Sequence, residues 1–235
     1  MFKDFLGLRI TFGRDHSQET PMTRLLFIEA SPRSTVSLSS ELARFFLDQL
    51  AKLNPALSID RLNVWKEELP AFDGAAIAAK YARLSGRELD QTQRDAWDGI
   101  ATMVARLDAA DAIVLSTPMW NLSIPYRLKH WIDLITQPGL SFTFDPATGY
   151  TPLLRQRPLA IILSSAGDFS GGLSFGRPDL ASSYLKAAFR FIGLDGSQII
   201  PAAPSAGPPE RVAGARKEAA ERLTSLAETF LRSAA

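Results

Sequence analysis

The sequence contains short stretches in which apolar residues follow one another with little alternation. Such stretches span residues 25–28, 112–115 and 159–163, and shorter ones span 59–64 and 197–201. A strand with one face in water alternates apolar and polar residues, so a continuous run indicates a strand that is covered on both faces. The five stretches therefore predict a buried parallel sheet.

Helical patterns separate these stretches. Apolar residues recur at a spacing near 3.6 in 38–53, 124–135 and 212–230, and two further helices are predicted at 75–84 and 92–107. Strands that alternate with helices are typical of an α/β fold with right-handed crossovers. We therefore predict one domain with a doubly wound, five-stranded parallel sheet and helices on both faces.

The composition excludes several classes of protein. The 235 residues include 26 Lys and Arg against 25 Asp and Glu, so no basic surplus is available to bind nucleic acid. The chain has no cysteine, which excludes disulfides, thiolate chemistry and iron–sulfur clusters. His16 and His130 are far apart and lack an acidic cluster, so they form no recognisable set of metal ligands.

The sequence also gives no sign of membrane insertion or export. No apolar stretch reaches the roughly 18 to 20 residues of a spanning helix, and residues 1–22 lack the apolar core of a secretory signal. We expect a cytoplasmic protein in which 1–22 form an N-terminal extension and 23–235 form the domain.

The chain leaves the first predicted strand through EASPRSTVSLSSEL, residues 29–42, which is rich in hydroxyl groups and has no glycine. A helix that begins at Ser37 or Ser39 would present free backbone amides there, and Ser31 would add a hydroxyl. These groups suit a terminal phosphate monoester, whereas a dinucleotide pyrophosphate needs the close approach that glycine permits. Ser and Thr clusters are also common as caps and turns, and Arg33 is either a nearby positive charge or a solvated side chain.

A second unusual turn, STPMWNLSIPYRLKHWIDLI, contains the end of the third strand. Pro118 ends that strand, Ser123 is placed to cap the next helix, and Pro125 occupies a position that tolerates proline. The loop between them consists of Met119, Trp120, Asn121 and Leu122. Met and Trp offer an apolar wall and the Asn amide both donates and accepts, but a loop with Trp120 packed inward would have the same sequence.

A third turn, SSAGDFSGG, residues 164–172, follows the predicted strand 159–163. Its glycines allow backbone amides to approach a ligand, although a flexible surface loop would have the same composition. Ligands of open α/β sheets bind beyond the carboxyl ends of the strands, and all three turns occupy such positions.

Together these turns resemble a known family. The ordered motifs S-P-R-x3-S-x-S, P-M-W-N-L-S-I-P-x2-L-K-x-W-I-D, G-L-S-F-T-F and S-S-A-G resemble the FMN-dependent NAD(P)H azoreductases and quinone reductases, which are flavodoxin-like proteins. The resemblance covers about residues 23–235 and implies a flavodoxin-like domain that binds FMN. It assigns the FMN phosphate to Ser31, Ser37, Leu38 and Ser39, the isoalloxazine and ribityl chain to Pro118, Met119, Trp120, Asn121 and Leu122, and the pyrimidine end of the flavin to Ser164, Ser165, Ala166 and Gly167.

The resemblance also implies an activity and an assembly. The activity is ping-pong, two-electron hydride transfer from NADH or NADPH through FMN to a quinone or azo compound, with no catalytic side chain, and the assembly is a homodimer with the flavin at its interface. The family commonly has Ser-Arg-Gly-Gly in the last turn, and Ser165 and Ala166 depart from it. The aromatic residues that are either walls of the site or parts of the core are Trp120, Phe142, Phe144, Tyr150, Phe169 and Phe175.

Two other functions fit parts of the sequence. A flavodoxin-like electron carrier or redox sensor would bind FMN through the same residues without its own NAD(P)H turnover. A serine hydrolase would use GLSFG, residues 172–176, as a nucleophile elbow. That reaction needs a histidine after Ser174 in the chain, and both histidines precede it.

Overall fold

The computed structural model describes residues 23–234, and the predicted extension 1–22 lies outside them. In chain order the strands are β1 (Arg24–Glu29), β2 (Ser58–Asn63), β3 (Ala112–Pro118), β4 (Phe142–Asp145), β5 (Gly149–Pro152), β6 (Leu159–Ser164), β7 (Leu173–Ser174), β8 (Arg177–Pro178) and β9 (Gln198–Ala202). The central sheet has the order β2-β1-β3-β6-β9, and all of its neighbouring strands are parallel. The predicted five-stranded parallel sheet is confirmed.

The helices are α1 (Leu38–Leu53), α2 (Gly74–Leu84), α3 (Gln91–Asp108), α4 (Tyr126–Ile135), α5 (Leu180–Phe191) and α6 (Pro209–Phe230). They cover both faces of the sheet, and alternate residues of one strand face different cores. In β3, for example, Ile113 packs with α3, α4 and α5, whereas Val114 packs with α1 and α6. Because both faces of the sheet are buried, an apolar residue at any position of a strand contributes to stability. This explains the continuous apolar runs.

Two helices differ from the sequence predictions. The helix α4 begins at Tyr126 with Pro125 as its N-cap residue and has no side-chain cap, so the capping role predicted for Ser123 is wrong. No helix is predicted at α5 from the sequence, although Asp179 caps that helix by accepting a hydrogen bond from the Ser182 amide at 2.8 Å. The break predicted between α2 and α3 is confirmed, because Asp90 and Gln93 form a capping box there.

The two remaining pairs of strands are small antiparallel hairpins, β4–β5 and β7–β8. The β4–β5 hairpin follows α4 and packs against Phe191 at the end of α5, with a distance of 4.9 Å between the ring centroids of Phe142 and Phe191. At the other end of α5, the Leu180 amide donates to the Leu122 carbonyl in the turn after β3. A twelve-residue helix is about 18 Å long, so this hairpin lies far from the turns that follow β1, β3 and β6.

One charged side chain is fully buried in this framework. The Arg157 guanidinium donates to the carbonyl oxygens of Leu107, Asp108 and Ala110, at 2.8 to 3.0 Å, and to the Asp108 carboxylate at 2.7 Å. Burial lowers the pKa of Arg157, and the hydrogen bond that its guanidinium donates to the Asp108 carboxylate opposes that change. These contacts satisfy the last carbonyls of α3 and fix that helix beside the start of β6. None of the helices within residues 23–234 has the length and apolarity needed to cross a membrane.

Candidate functional site

The carboxyl ends of β1, β3 and β6 lie side by side at one edge of the sheet. The Ala30 amide donates to the Ser116 carbonyl at 2.8 Å, and the Met119 amide donates to the Ser164 carbonyl at 2.7 Å. The strand order reverses between β1 and β3, because β2 lies on the outer side of β1. Crevices of open α/β sheets form at such a reversal, and the three unusual turns meet there.

A cleft of about 320 Å³ opens at this point. Most of the predicted cofactor residues line it: Ser31, Ser37, Leu38, Pro118, Met119, Trp120, Ser164, Ser165 and Ala166. The remaining lining residues were not predicted as cofactor ligands and are Arg33, Val36, Glu41, Ser205, Val212 and Arg216. The structure therefore brings all three turns into one concave site and adds a fourth wall from α6.

The hydroxyl-rich turn caps α1 and also presents hydrogen-bond donors to the cleft. Of the two predicted starts of α1, Ser37 is the N-cap residue, and its Oγ lies 3.5 Å from the Ser40 amide that it caps. The Ser39 side chain is fully buried, with its Oγ 3.2 Å from the Ser37 Oγ, so it supports Ser37 from behind and does not line the cleft. The amides of Leu38 and Ser39 stand at the open end of α1, where a helix favours an anion.

The turn after β3 has an unusual backbone. Asn121 and Leu122 have φ of 48° and 69°, which is a strained region for residues with a side chain, and Leu122 above all. The carbonyl of Leu122 accepts the Leu180 amide at 3.1 Å, and Trp120 and Ser123 exchange backbone hydrogen bonds at 2.8 and 2.9 Å. Such strain persists only where surrounding contacts enforce it, and it is concentrated at binding sites.

Trp120 is exposed at the cleft and does not pack inward. Its side chain is 36% exposed, and its ring lies 5.7 Å from that of Trp65. The Trp65 indole in turn donates to the Ala30 carbonyl at 3.0 Å, so it supports one wall of the cleft. Sequence reasoning missed Trp65, although its position just after β2 is another carboxyl-end position of the sheet.

A second pocket, of about 440 Å³, lies on the other side of Trp120. Its lining residues are Trp120, Asn121, Ser123, Ile124, Tyr126, Lys129 and Tyr184. Asn121 therefore faces this pocket and not the cleft. Burial raises the pKa of Tyr184 to about 12, with Asp133 adding to the shift, so its phenol is a neutral hydrogen-bond donor near pH 7.

Gly167, in the turn after β6, packs closely against Ser174 of β7. A Cβ on Gly167 would lie 2.4 Å from the Ser174 Oγ, so the packing against β7 favours a residue without a side chain at this position. The Ser165 hydroxyl donates to the Gly167 carbonyl at 2.8 Å, and the Ser165 carbonyl accepts the Ser205 amide at 2.8 Å. These contacts fix the wall formed by residues 164–166. Asp168 lies just beyond, and hydrogen bonds from Ser170 lower its pKa.

The other aromatic candidates lie outside the cleft. Phe142, Phe144 and Tyr150 belong to the distant β4–β5 hairpin, Phe169 lines a neighbouring pocket, and Phe175 is 96% exposed at the β7–β8 turn. Within the part of the chain that the structure describes, no group of His, Asp and Glu side chains is arranged to hold a metal ion.

The serine of the GLSFG motif does not have the geometry of a nucleophile elbow. Ser174 is 3% exposed and lies in an antiparallel hairpin, whereas an elbow needs a sharp turn from strand to helix. His130, the histidine among the described residues, lies on α4 with its Nε2 2.9 Å from the Pro70 carbonyl. Ser174 therefore has neither the exposure nor the turn geometry that the hydrolase alternative requires.

Comparisons with known proteins agree with the fold. A family model described as a flavodoxin-like fold matches residues 23–226. An FMN-dependent NADH:quinone oxidoreductase of Bradyrhizobium diazoefficiens is 44% identical over 209 residues, which cover 89% of this chain and 100% of that protein. An FMN-dependent NADH:quinone oxidoreductase of Ruegeria pomeroyi is 45% identical over 175 residues, covering 74% of this chain and 85% of that protein.

A solved structure gives a similar result. An FMN-dependent NADH-azoreductase from Bacillus anthracis in complex with FMN superposes with a TM-score of 0.75 at 26% identity, covering 88% of this chain and 100% of that one. Another azoreductase from the same organism reaches a TM-score of 0.80 at 24% identity, over 89% of this chain and 100% of the other, and supports the fold.

The packing of Gly167 is testable by substitution. We expect G167A to lower the free energy of unfolding by roughly 1–3 kcal/mol, because its methyl group would overlap the Ser174 hydroxyl. G171A is the matched control in the same loop, since nothing lies within 4 Å of its added Cβ, and it should change stability by less than about 0.5 kcal/mol. Urea denaturation measures both, and equal effects of the two variants would contradict the packing argument.

Proposed function

Since the chain belongs to the family with the flavodoxin-like fold, we propose that it is an FMN-dependent NADH:quinone oxidoreductase that also reduces azo compounds. The single observation that carries the proposal is the cleft at the β1–β3 reversal, in which three predicted turns meet. The relatives named as FMN-dependent NADH:quinone oxidoreductases, at 44% and 45% identity, support the same activity.

The donor set of the cleft fits the phosphate of FMN. Ser31 and Ser37 provide hydroxyls, and the amides of Leu38 and Ser39 point along the N-terminal end of α1. A phosphate monoester has oxygens in several directions, so hydroxyls and amides arranged around it can bond to each one. A pyrophosphate would instead need close backbone contact, and the turn of residues 30–37 has no glycine to allow it.

The strained turn after β3 fits the ring system. Pro118, Met119 and Trp120 line the cleft and offer an apolar surface to a flat heterocycle, while the positive φ of Asn121 and Leu122 holds that surface in place. Ser164, Ser165 and Ala166 form the facing wall. Bound FMN would supply hydride-transfer chemistry, and these residues would bind it, orient it and exclude water from one of its faces.

The electron donor that we propose is NADH, and the acceptors are quinones and azo compounds. The names of the relatives support NADH over NADPH. No cleft residue is needed as a nucleophile or a general base, because ping-pong exchange requires only a slot that is open to flat ligands. The cytoplasm, which contains the NADH pool, is the proposed location.

We further propose a homodimer whose interface adjoins the site. Tyr126 is 68% exposed, although it is aromatic and packs edge-on against Trp65 at 5.2 Å. Trp120, which is 36% exposed and lines the second pocket together with Tyr126, extends this apolar surface. Such a surface next to a binding site supports burial against a second copy.

The activity can be tested with the purified protein loaded with FMN. We expect anaerobic NADH to bleach the flavin absorbance near 450 nm within seconds, and a quinone or an azo dye to restore it. Absorbance spectra in a sealed cuvette, with dithionite as the positive control for reduction, measure both half-reactions separately.

The opposite outcome would favour the electron carrier. If the flavin stayed oxidised with NADH for minutes while dithionite bleached it, the protein would bind FMN without its own turnover, and the proposed activity would be wrong. Initial rates with matched concentrations of NADH and NADPH then rank the two donors.

The homodimer can be tested by charge insertion. We expect sedimentation velocity to give a dimer for the unmodified chain and a monomer for Y126R, because an arginine there would be buried in an apolar interface. Y81R is the matched control, since Tyr81 is 58% exposed on α2. A monomeric unmodified chain, or equal dissociation of both variants, would contradict the proposed interface.

A further inference from the structure

The phosphate end of the cleft contains three ionisable side chains, of which only Arg33 belongs to one of the motifs. Arg33 comes from the turn after β1, Glu41 from the first turn of α1, and Arg216 from α6. An acidic residue in the first turn normally stabilises a helix, but here its carboxylate stands beside a proposed dianion site. The two like charges would repel each other, so the arrangement needs a compensating cation.

Arg33 and Arg216 both line the cleft, and Arg216 is the arginine that forms an ion pair with Glu41. Its guanidinium lies 3.3 Å from the Glu41 carboxylate, and both side chains line the cleft. Both are about half exposed, at 52% and 45%, so the ion pair itself adds little to stability. Arg216 nevertheless brings a planar donor group from α6 to the mouth of a site otherwise built from α1 and the sheet turns. A guanidinium has five N–H donors, and one carboxylate does not use them all.

We propose that Arg216 is a specificity-determining residue that selects the phosphorylated flavin, and that Glu41 weakens this selection by competing for the same guanidinium. The inference rests on the proposed function, because it concerns the phosphate of the bound flavin. Under this proposal Arg216, which lies on α6 and is distant in sequence, contributes to the affinity for the phosphate in addition to the hydroxyls of the turn after β1. Neither residue would change the affinity for riboflavin, because riboflavin lacks the phosphate.

The test is the affinity of purified apoprotein for FMN and for riboflavin, measured by quenching of flavin fluorescence. We expect R216Q to bind FMN about tenfold more weakly, the size of a partly exposed charge-assisted hydrogen bond, and riboflavin within about twofold of the unmodified chain. The FMN affinity of R216Q should also depend less on NaCl concentration, because one screened attraction is lost. R222Q is the control. Arg222 is an exposed arginine of the same helix, and it lines two other pockets and not the cleft.

The role of Glu41 gives a second and opposite effect. We expect E41Q to bind FMN about threefold more tightly, because the substitution removes a repulsive charge and frees Arg216. In the R216Q background the gain from E41Q should be smaller, since the competition for the guanidinium no longer exists. Riboflavin affinity should not change in either background.

The outcomes separate two possible failures. If R216Q bound FMN as tightly as the unmodified chain, or lost FMN and riboflavin equally, the inference about Arg216 would be wrong and the proposed function would stand. If E41Q increased the affinity for FMN equally with and without R216Q, Glu41 and the phosphate would not compete for the Arg216 guanidinium, and that part of the inference would be wrong. If the unmodified chain bound neither flavin, the proposed function would fail, and this inference with it.

Discussion

The side-by-side alignment of β1, β3 and β6 is the constraint on which the site depends. Parallel strands place their carboxyl ends at one edge, and two backbone hydrogen bonds, from Ala30 to Ser116 and from Met119 to Ser164, continue that alignment into the turns. Segments that are about 90 and 50 residues apart in sequence therefore become walls of one cleft. The buried apolar runs that build the sheet thus also determine where a ligand can bind.

The absence of glycine from the first turn has a structural meaning. Ser37 begins α1 as its N-cap and at the same time lines the cleft, with Ser39 buried behind it. A turn built from glycine would bring the backbone closer to a ligand, but it would lose these hydroxyls and the cap. The same side chains therefore stabilise the helix and provide the donors of the candidate phosphate site.

Much of the fold and part of the site could be predicted from the sequence, for identifiable reasons. Continuous apolar runs located the strands of the central sheet, and the hydroxyl-rich turn limited the N-cap of α1 to Ser37 or Ser39, of which the structure has Ser37. The α6 wall could not be predicted from the sequence. Arg216 reaches the cleft only through the packing of α6 on α1, and no pattern in the local sequence indicates that contact. The close approach of Ser174 to Gly167 could not be predicted either, because the two residues meet only through the folding of the β7–β8 hairpin onto the turn after β6.

The central claim is that the first turn holds the phosphate of FMN, and retention of flavin by the S37A/S39A variant tests it most directly. Desalting of this variant is expected to release FMN while its far-UV circular dichroism stays native, since losing one cap costs only about 1 kcal/mol. S40A is the matched control, because the Ser40 hydroxyl is buried without a hydrogen-bond partner among the described residues, and it should keep its flavin. Undiminished flavin in S37A/S39A would contradict the account.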